Sequence, residues 1–315
     1  MALTKDELIE RRDFLGGSEC AAAIGLSQWK SPLQLYREKK GLAEDMDEEE
    51  DLNLPAQVGQ LVEPLVLLKL EQKKKIAIHS RQTRFVDPKN PWRRATVDGI
   101  GSDGLLVEAK TAGFIGQQWG KDDTDEIPLQ YIYQIQHDLD CADLGAAWVP
   151  VIIGNTRIRI YRVERNEELI EILREGEKRF WRHVTESDPP PATTKQDLKI
   201  LYPYDVHGMK PAIASVDVLS AFTKFEANKL LLKNLEERQE QLYAMIGEAF
   251  GDSPELVDSS GKLLATYKSQ AGSSYFDTDA LQKGHPDINL SPYYKKRAAY
   301  RVLRTKKPST VKGKK

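Results

Sequence analysis

The chain has 315 residues, 40% hydrophobic and 30% charged, a composition of a globular protein with one large domain or a domain plus a module. No apolar run approaches the ~20 residues a membrane-spanning helix needs, and the charged, helix-capped start "MALTKDELIERRD" is not a signal peptide. Only Cys20 and Cys141 occur, which excludes a zinc or iron–sulfur site held by four cysteines and points to a reducing, cytoplasmic setting. The net charge of −2 makes no global case for nucleic acid, and the charge is uneven. "EDMDEEED" (Glu44–Asp51) and the basic tail "RTKKPSTVKGKK" both read as solvated segments, the tail adding weak, salt-sensitive affinity for DNA or RNA. The five histidines lack metal-ligand spacing, so a bound metal would be a hard cation held by carboxylates.

In chain order, helices are expected at Lys5–Asp13, Ser18–Ile24 and Pro32–Lys40, and an apolar helix at Gln57–Lys73. Strand patterns follow at Ile76–Val86, Trp92–Val97 and Gly104–Thr111. A helix from Pro128 to Cys141 has its proline suitably placed in the first turn. "GAAWVPVII" and "RIRIYRV" form a hairpin with "GNT" at its turn, and "NEELIEILREGEKRFWRHV" is an amphipathic helix. This order predicts an α/β (α+β) sandwich around a mixed central sheet of about five strands flanked by helices. "ESDPPPATT" (Glu186–Thr194) stops helix and strand alike and reads as a linker. Beyond it, Ser215 to about Phe250 reads as one long helix, followed by strand-like "KLLATYKS", "SSYFD" and "AAYRVLR". The expected division is a first domain over 1–188, a linker over 189–214, a C-terminal helical/β module over 215–304 and a basic tail over 305–315.

Charged groups interrupt these apolar elements. Glu108 and Lys110 project from the same face of a strand that should be central, either as an ion pair or as part of a site. Asp98 ends the preceding strand. If the two strands are hairpin neighbours, Asp98 and Glu108 lie side by side and repel unless a cation is shared. Glu63 adds a third carboxylate, on the helix side that carries Val66, Leu67 and Leu70. Two or three carboxylates with an adjacent lysine suit magnesium-assisted attack of water on a phosphodiester. Gly16-Gly17-Ser18 leads into a helix and is equally a plain N-cap or, with Arg11, an anion site. Trp29 and Trp119 read as packing residues, and Gln134 by itself as a solvated helix residue.

"D-G-(x)8-E-A-K", from Asp98 to Lys110, resembles the PD-(D/E)XK nuclease motif, with Thr-Val in place of Pro before the aspartate. "VGQLVEP" around Glu63 resembles the G-x-x-x-E segment of lambda-type exonucleases, and "YIYQIQHDL" their Y-x-x-Q-x-Q helix. "FLGGSECAAAIGLSQWKSPLQLYREKKG" resembles the N-terminal signature of the YqaJ-like viral recombinases, so that the likeness spans roughly residues 10 to 185. The resemblance implies a restriction-endonuclease-like core and a Mg²⁺-dependent 5′-to-3′ double-strand exonuclease of phage recombination. Mn²⁺ would substitute, and two ions would occupy each site. It assigns Glu63, Asp98, Glu108 and the backbone carbonyl of Ala109 to metal. Lys110 falls to the reaction, Tyr131 and Gln134 to its support, and Arg11, Ser18 and Thr96 to the terminal 5′-phosphate. The partners it implies are double-stranded DNA ends, a single-strand annealing protein and further copies of the chain in a ring-type trimer or tetramer. An endonuclease of the same fold is the alternative, and a catalytically dead DNA-binding or assembly protein a third reading. The intact Glu63, Asp98, Glu108 and Lys110 set argues against the last.

Overall fold

The computed structural model describes residues 9–42, 54–113, 119–154, 157–295, 301 and 303. The acidic run, the basic tail, most of "AAYRVLR", the hairpin turn at 155–156 and residues 5–8 of the first expected helix lie outside them. The chain divides into two compact units, one reaching to Tyr204 and the other starting at Asp205.

In the first unit, β1 (Leu15–Gly16) leads into α1 (Gly17–Ala23), and α2 (Pro32–Lys39) follows with Ser31 capping its first turn. The long α3 (Leu54–Lys74) contains Pro64, whose missing N–H interrupts the helical ladder one residue after Glu63. The expected strand Ile76–Val86 is two short ones, β2 (Ile78–His79) and β3 (Thr83–Val86), in different sheets. Ser80 and Gln82 separate them with left-handed backbones, φ 51° and 53°.

A similar change of sheet occurs at Asp98. β4 (Arg93–Val97) pairs with β1 and β3, whereas β5 (Gly99–Gly101) pairs with β2 and with β6 (Leu106–Val107). β6 and β7 (Lys110–Ala112) both run parallel to β8 (Ala146–Ile153) in one unbroken register. The ladder between them lapses opposite Pro150, which has no N–H to offer. β9 (Arg157–Glu164) closes the sheet antiparallel to β8. Counting β6 and β7 as one interrupted strand, this sheet has five strands, mixed in direction, but the expected strand Trp92–Val97 (β4) lies in the other sheet and β5, not expected, stands in its place.

Both faces of this sheet are covered. Leu106, Val149 and Val151 pack with Ile135 and Leu139 of α4 (Leu129–Ala142), while Val107 and Ile160 pack with Leu67 and Leu70 of α3. α5 (Glu167–Glu186) adds Phe180 and Val184 to a separate cluster with Leu15, Leu33 and Leu35. Trp119 is buried against Tyr131 and Tyr161, as a packing residue should be.

Behind α4 lies a largely buried ion network. Arg93 donates from Nε to Glu177 at 2.6 Å and from Nη1 to Asp87 at 2.6 Å and Asp140 at 2.7 Å. His137 stands with Nδ1 2.8 Å from Glu177 and Nε2 3.0 Å from the Arg94 carbonyl. Burial alone would lower the His137 pKa, but the Glu177 carboxylate holds it well above the ordinary value.

The chain after the proline run returns to this unit as α6 (Lys195–Leu201). Asp197 is buried, accepts from the Ser31 hydroxyl and from the N–H groups of Thr193 and Thr194, and Ile200 and Leu201 pack on the Leu33–Phe180 cluster. A chain ending at Pro191 is therefore expected to be less stable than one ending at Tyr204 by roughly 2–4 kcal/mol, read as a lower urea midpoint. Equal midpoints would show that α6 contributes nothing to the fold.

The second unit holds α7 (Val216–Phe250), a hairpin of β10 (Glu255–Val257) and β11 (Leu263–Thr266), and α8 (Thr278–Gly284). Tyr267 packs on Tyr243 and Phe250. "SSYFD", expected as a strand, forms no ladder, and its Tyr275 and Phe276 are exposed. Among the described residues no helix is long and apolar enough to cross a membrane.

Candidate active site

The sheet change at Asp98 and the interrupted β6–β7 strand meet at one place. The register that pairs Gly99 with Val107 puts Asp98 beside Glu108, and the Ala109 N–H donates to Asp98 Oδ2 at 2.7 Å. Burial, then the Glu108 and Glu63 charges, push the Asp98 carboxyl up to about 8. Glu63 reaches the same spot from α3: the Gln82 amide donates to Glu63 Oε1 at 3.3 Å and to Asp98 Oδ1 at 3.2 Å.

On the other side of Glu108, three polar groups close a triangle. Lys110 Nζ donates to Glu108 Oε1 and to Gln134 Oε1, both at 2.8 Å, and Gln134 Nε2 donates to Glu108 Oε1 at 2.6 Å. The Tyr131 ring lies 5.0 Å from the ammonium. Burial would strip the Lys110 proton, yet the neighbouring Glu108 charge raises its pKa, so the side chain remains a cation. It can donate hydrogen bonds and balance negative charge.

Two buried carboxylate oxygens in this cluster have no hydrogen-bond partner, Glu108 Oε2 and Asp138 Oδ2. Asp138 lies one helical turn beyond Gln134 on α4 and is fully buried. Burial and then the Glu108 charge raise its carboxyl to about 8. Its Oδ1 approaches the start of α1 so closely that a Cβ added to Gly17 would stand 2.1 Å away. Only glycine leaves room for it.

A cleft of about 480 Å³ adjoins these groups, lined among others by Ser18, Trp29, Glu63, Lys110 and Gln134, whereas Asp98, Glu108 and Asp138 are not on its lining. Arg11 donates to Ser18 Oγ at 3.2 Å, so the two expected phosphate ligands meet, but Glu19 also faces Arg11 at 3.5 Å. Thr96 is exposed on β4 opposite Arg84 and does not line the cleft. Trp29, expected as a packing residue, is instead 77% exposed on the cleft wall, its indole N–H held by Gln130 at 3.3 Å. Gln134 is buried rather than solvated.

Among the described residues no three Asp, Glu, His or Cys side chains converge as a ready-made metal cage. The donor set nevertheless suits a hard divalent cation: Asp98 and Glu108 are register neighbours, Glu108 holding an unpartnered buried oxygen and Asp98 an acidity suppressed by burial and like charge. Glu63 stands one amide away, across Gln82. Gln82 and Asp138 are the members that sequence reasoning missed. Asp138 had a signal, four residues after Gln134 on the same helix face; an isolated Gln82 in a turn had none.

Residues 8–145 match the YqaJ-like viral recombinase domain. The matched segment covers a little under half of the chain. It contains every site residue named above and the four motifs that carried the resemblance. Beyond the domain, the chain is 25% identical over 295 residues to the uncharacterized protein YqaJ of Bacillus subtilis (strain 168), covering 91% of this chain and 90% of that one. Similar solved structures include an alkaline exonuclease (LHK-Exo) from Laribacter hongkongensis at 16% identity and TM-score 0.45, covering 58% of this chain and 94% of that one. A phage related exonuclease from Haemophilus somnus 129PT aligns at 15% identity and TM-score 0.42, over 56% of this chain and 96% of that one.

Proposed function

We propose that the recombinase domain is a divalent-metal-dependent deoxyribonuclease that digests double-stranded DNA from an end, 5′ to 3′, in phage or prophage recombination. The observation that supports this best is the closed Glu108–Lys110–Gln134 triangle beside Asp98, whose Lys110 and Gln134 line the cleft and whose Glu108 keeps an unsatisfied carboxylate oxygen. A structural ion pair would have no use for that orphan oxygen. Asp98, Glu108, Glu63 and the Ala109 carbonyl are the proposed holders of Mg²⁺, with Mn²⁺ able to substitute and two ions per site. Bound there, the metal supplies Lewis-acid chemistry and a more acidic water. Lys110, kept cationic by Glu108, donates to the attacking water or to the charge that builds on the phosphorus oxygens. Gln134 fixes the rotamer of Lys110, and Tyr131 covers it. The remaining strand, a 3′ overhang, is the substrate for an annealing protein, and the enzyme acts as a homo-oligomer in the cytoplasm of the host cell.

The test uses linear duplex with 5′-phosphate or 5′-hydroxyl ends beside a covalently closed circle, with Mg²⁺ and with excess chelator. Digestion of the linear forms alone, lost in chelator, supports the proposal; cutting of the circle replaces it with an endonuclease.

Arg11 and Ser18 are the proposed holders of the terminal 5′-phosphate, which would take Arg11 from Glu19. A planar guanidinium grips two phosphate oxygens, a contact worth about 1.5–3 kcal/mol. Arg11→Ala is expected to slow digestion of 5′-phosphorylated duplex by roughly 10- to 100-fold, with a much smaller effect on 5′-hydroxyl ends. Equal losses on both ends would make Arg11 a general backbone contact.

A further inference from the structure

α7 is a 35-residue helix whose large apolar side chains stay open: Val218, Phe225, Leu232, Leu235 and Ile246 are each 41–59% exposed. Its sequence has a seven-residue order. Val218, Phe225, Leu232, Gln239 and Ile246 recur at one seam position, and Ala221, Asn228, Leu235, Leu242 and Ala249 at the other, three residues on. These are the two core positions of a coiled coil. Of the large apolar residues from Val218 to Ile246, only Leu219 and Leu230 lie off the seam and its flanks. Five such heptads span about 52 Å.

We propose that α7 pairs with α7 of a second copy of this chain in an antiparallel coiled coil centred between Lys233 and Asn234. The order of the seam singles out that arrangement. An antiparallel pair centred there sets Leu232 against the partner's Leu235, Phe225 against the partner's Leu242 and Ala221 against the partner's Ile246, large filling the space left by small. The two polar seam residues meet each other, Asn228 against the partner's Gln239, so neither amide is buried against carbon. The flanks agree: Lys229 lies beside the partner's Glu236, and the twofold axis repeats the pair. A parallel pair would instead bring Lys224 beside the partner's Lys229 twice and offer no opposite charges on either flank. Lys229 is bonded within the helix to Glu226 at 3.3 Å, an exposed contact that exchanges readily for the interchain one. The contact is isologous and needs a twofold axis, which a tetramer with dihedral symmetry provides and a simple threefold ring lacks. It does not depend on the nuclease reading.

The test uses the full chain in sedimentation equilibrium. Wild type is expected to form a reversible dimer or an even-numbered assembly built on it. Lys229→Glu and Glu236→Lys, both on the helix surface, should each weaken the association by about tenfold, and the double variant should return to within about threefold of wild type. Orientation is read by disulfide trapping: a mixture of Asn228→Cys chains with Gln239→Cys chains should cross-link, and neither should do so alone. A monomer at tens of micromolar, a double variant as weak as the singles, or self-linking of Asn228→Cys would overturn the proposal.

Discussion

Asp98→Asn and Glu108→Gln are expected to abolish cleavage of duplex DNA while leaving the chain folded. Asp98→Asn removes one member of a like-charged pair, so the metal-free protein loses repulsion; Glu108→Gln relieves the same repulsion but also takes the counter-charge from Lys110. The sign is fixed by the Asp98 carboxyl, which the fold raises to about 8 from an unfolded value near ~3.9. Between those two pH values the folded chain holds a proton that the unfolded chain has released. The contribution of Asp98 to stability therefore falls as pH rises through that window. In metal-free solution Asp98→Asn should melt several degrees above wild type at pH 8, with the gap closing toward pH 4. Lys110→Ala should lower the rate at least ~100-fold with little loss of DNA affinity, as for a group acting mainly in the transition state. Full wild-type activity in excess chelator, or an active Asp98→Asn, would overturn the site.

The second large effect concerns folding. Among the described residues, Arg93 alone is bonded to all three of Asp87, Asp140 and Glu177; Arg93→Met leaves Asp140 to Arg165 and Arg174 but takes the guanidinium from Glu177, which is fully buried. Stranding buried charge costs about 3–5 kcal/mol, a large share of the ~5–15 kcal/mol that holds a typical domain. The variant should unfold at a much lower urea concentration than wild type, and adding Glu177→Gln should recover part of the loss. His137 would then still face a neutral amide in place of its carboxylate, so recovery stays incomplete. An Arg93→Met midpoint within about 1 kcal/mol of wild type would show that the network is redundant.

These two predictions differ in how visible their residues are in the sequence. Glu63, Asp98, Glu108 and Lys110 could be found because each is a charge set into an apolar pattern; that Asp98 lies beside Glu108 followed only if their strands were neighbours, and in the structure it is β5, not β4, that pairs with β6. Helices from Pro32, Pro128 and Ser215 were legible for a similar reason, since periodicity and caps are local. The Arg93 network was not: its members are scattered from Asp87 to Glu177, and nothing local says that they meet. The split of Ile76–Val86 was hidden too, because strand propensity runs through Ser80 and Gln82 while their backbones turn left-handed. Trp29 was misread because an aromatic residue has the same local pattern in a core and on a cleft wall. Asp197 shows the same limit: prolines announce an end to regular structure, but not that the chain comes back to cover Ser31.

The near-contact of Gly17 with Asp138 constrains how this sequence can change. The two positions belong to different helices, one leading into the Ser18 wall of the cleft and the other carrying Gln134. While the aspartate is present, any side chain at position 17 enters the space of its Oδ1. A smaller residue at 138 frees that space, after which alanine at 17 becomes tolerable. The route from Gly17 and Asp138 to a pair with alanine at both positions therefore has a direction: through Asp138→Ala first it stays passable, and through Gly17→Ala first it crosses a steric barrier. Lineages descending from this chain should show the exchange at 138 before, or without, the exchange at 17.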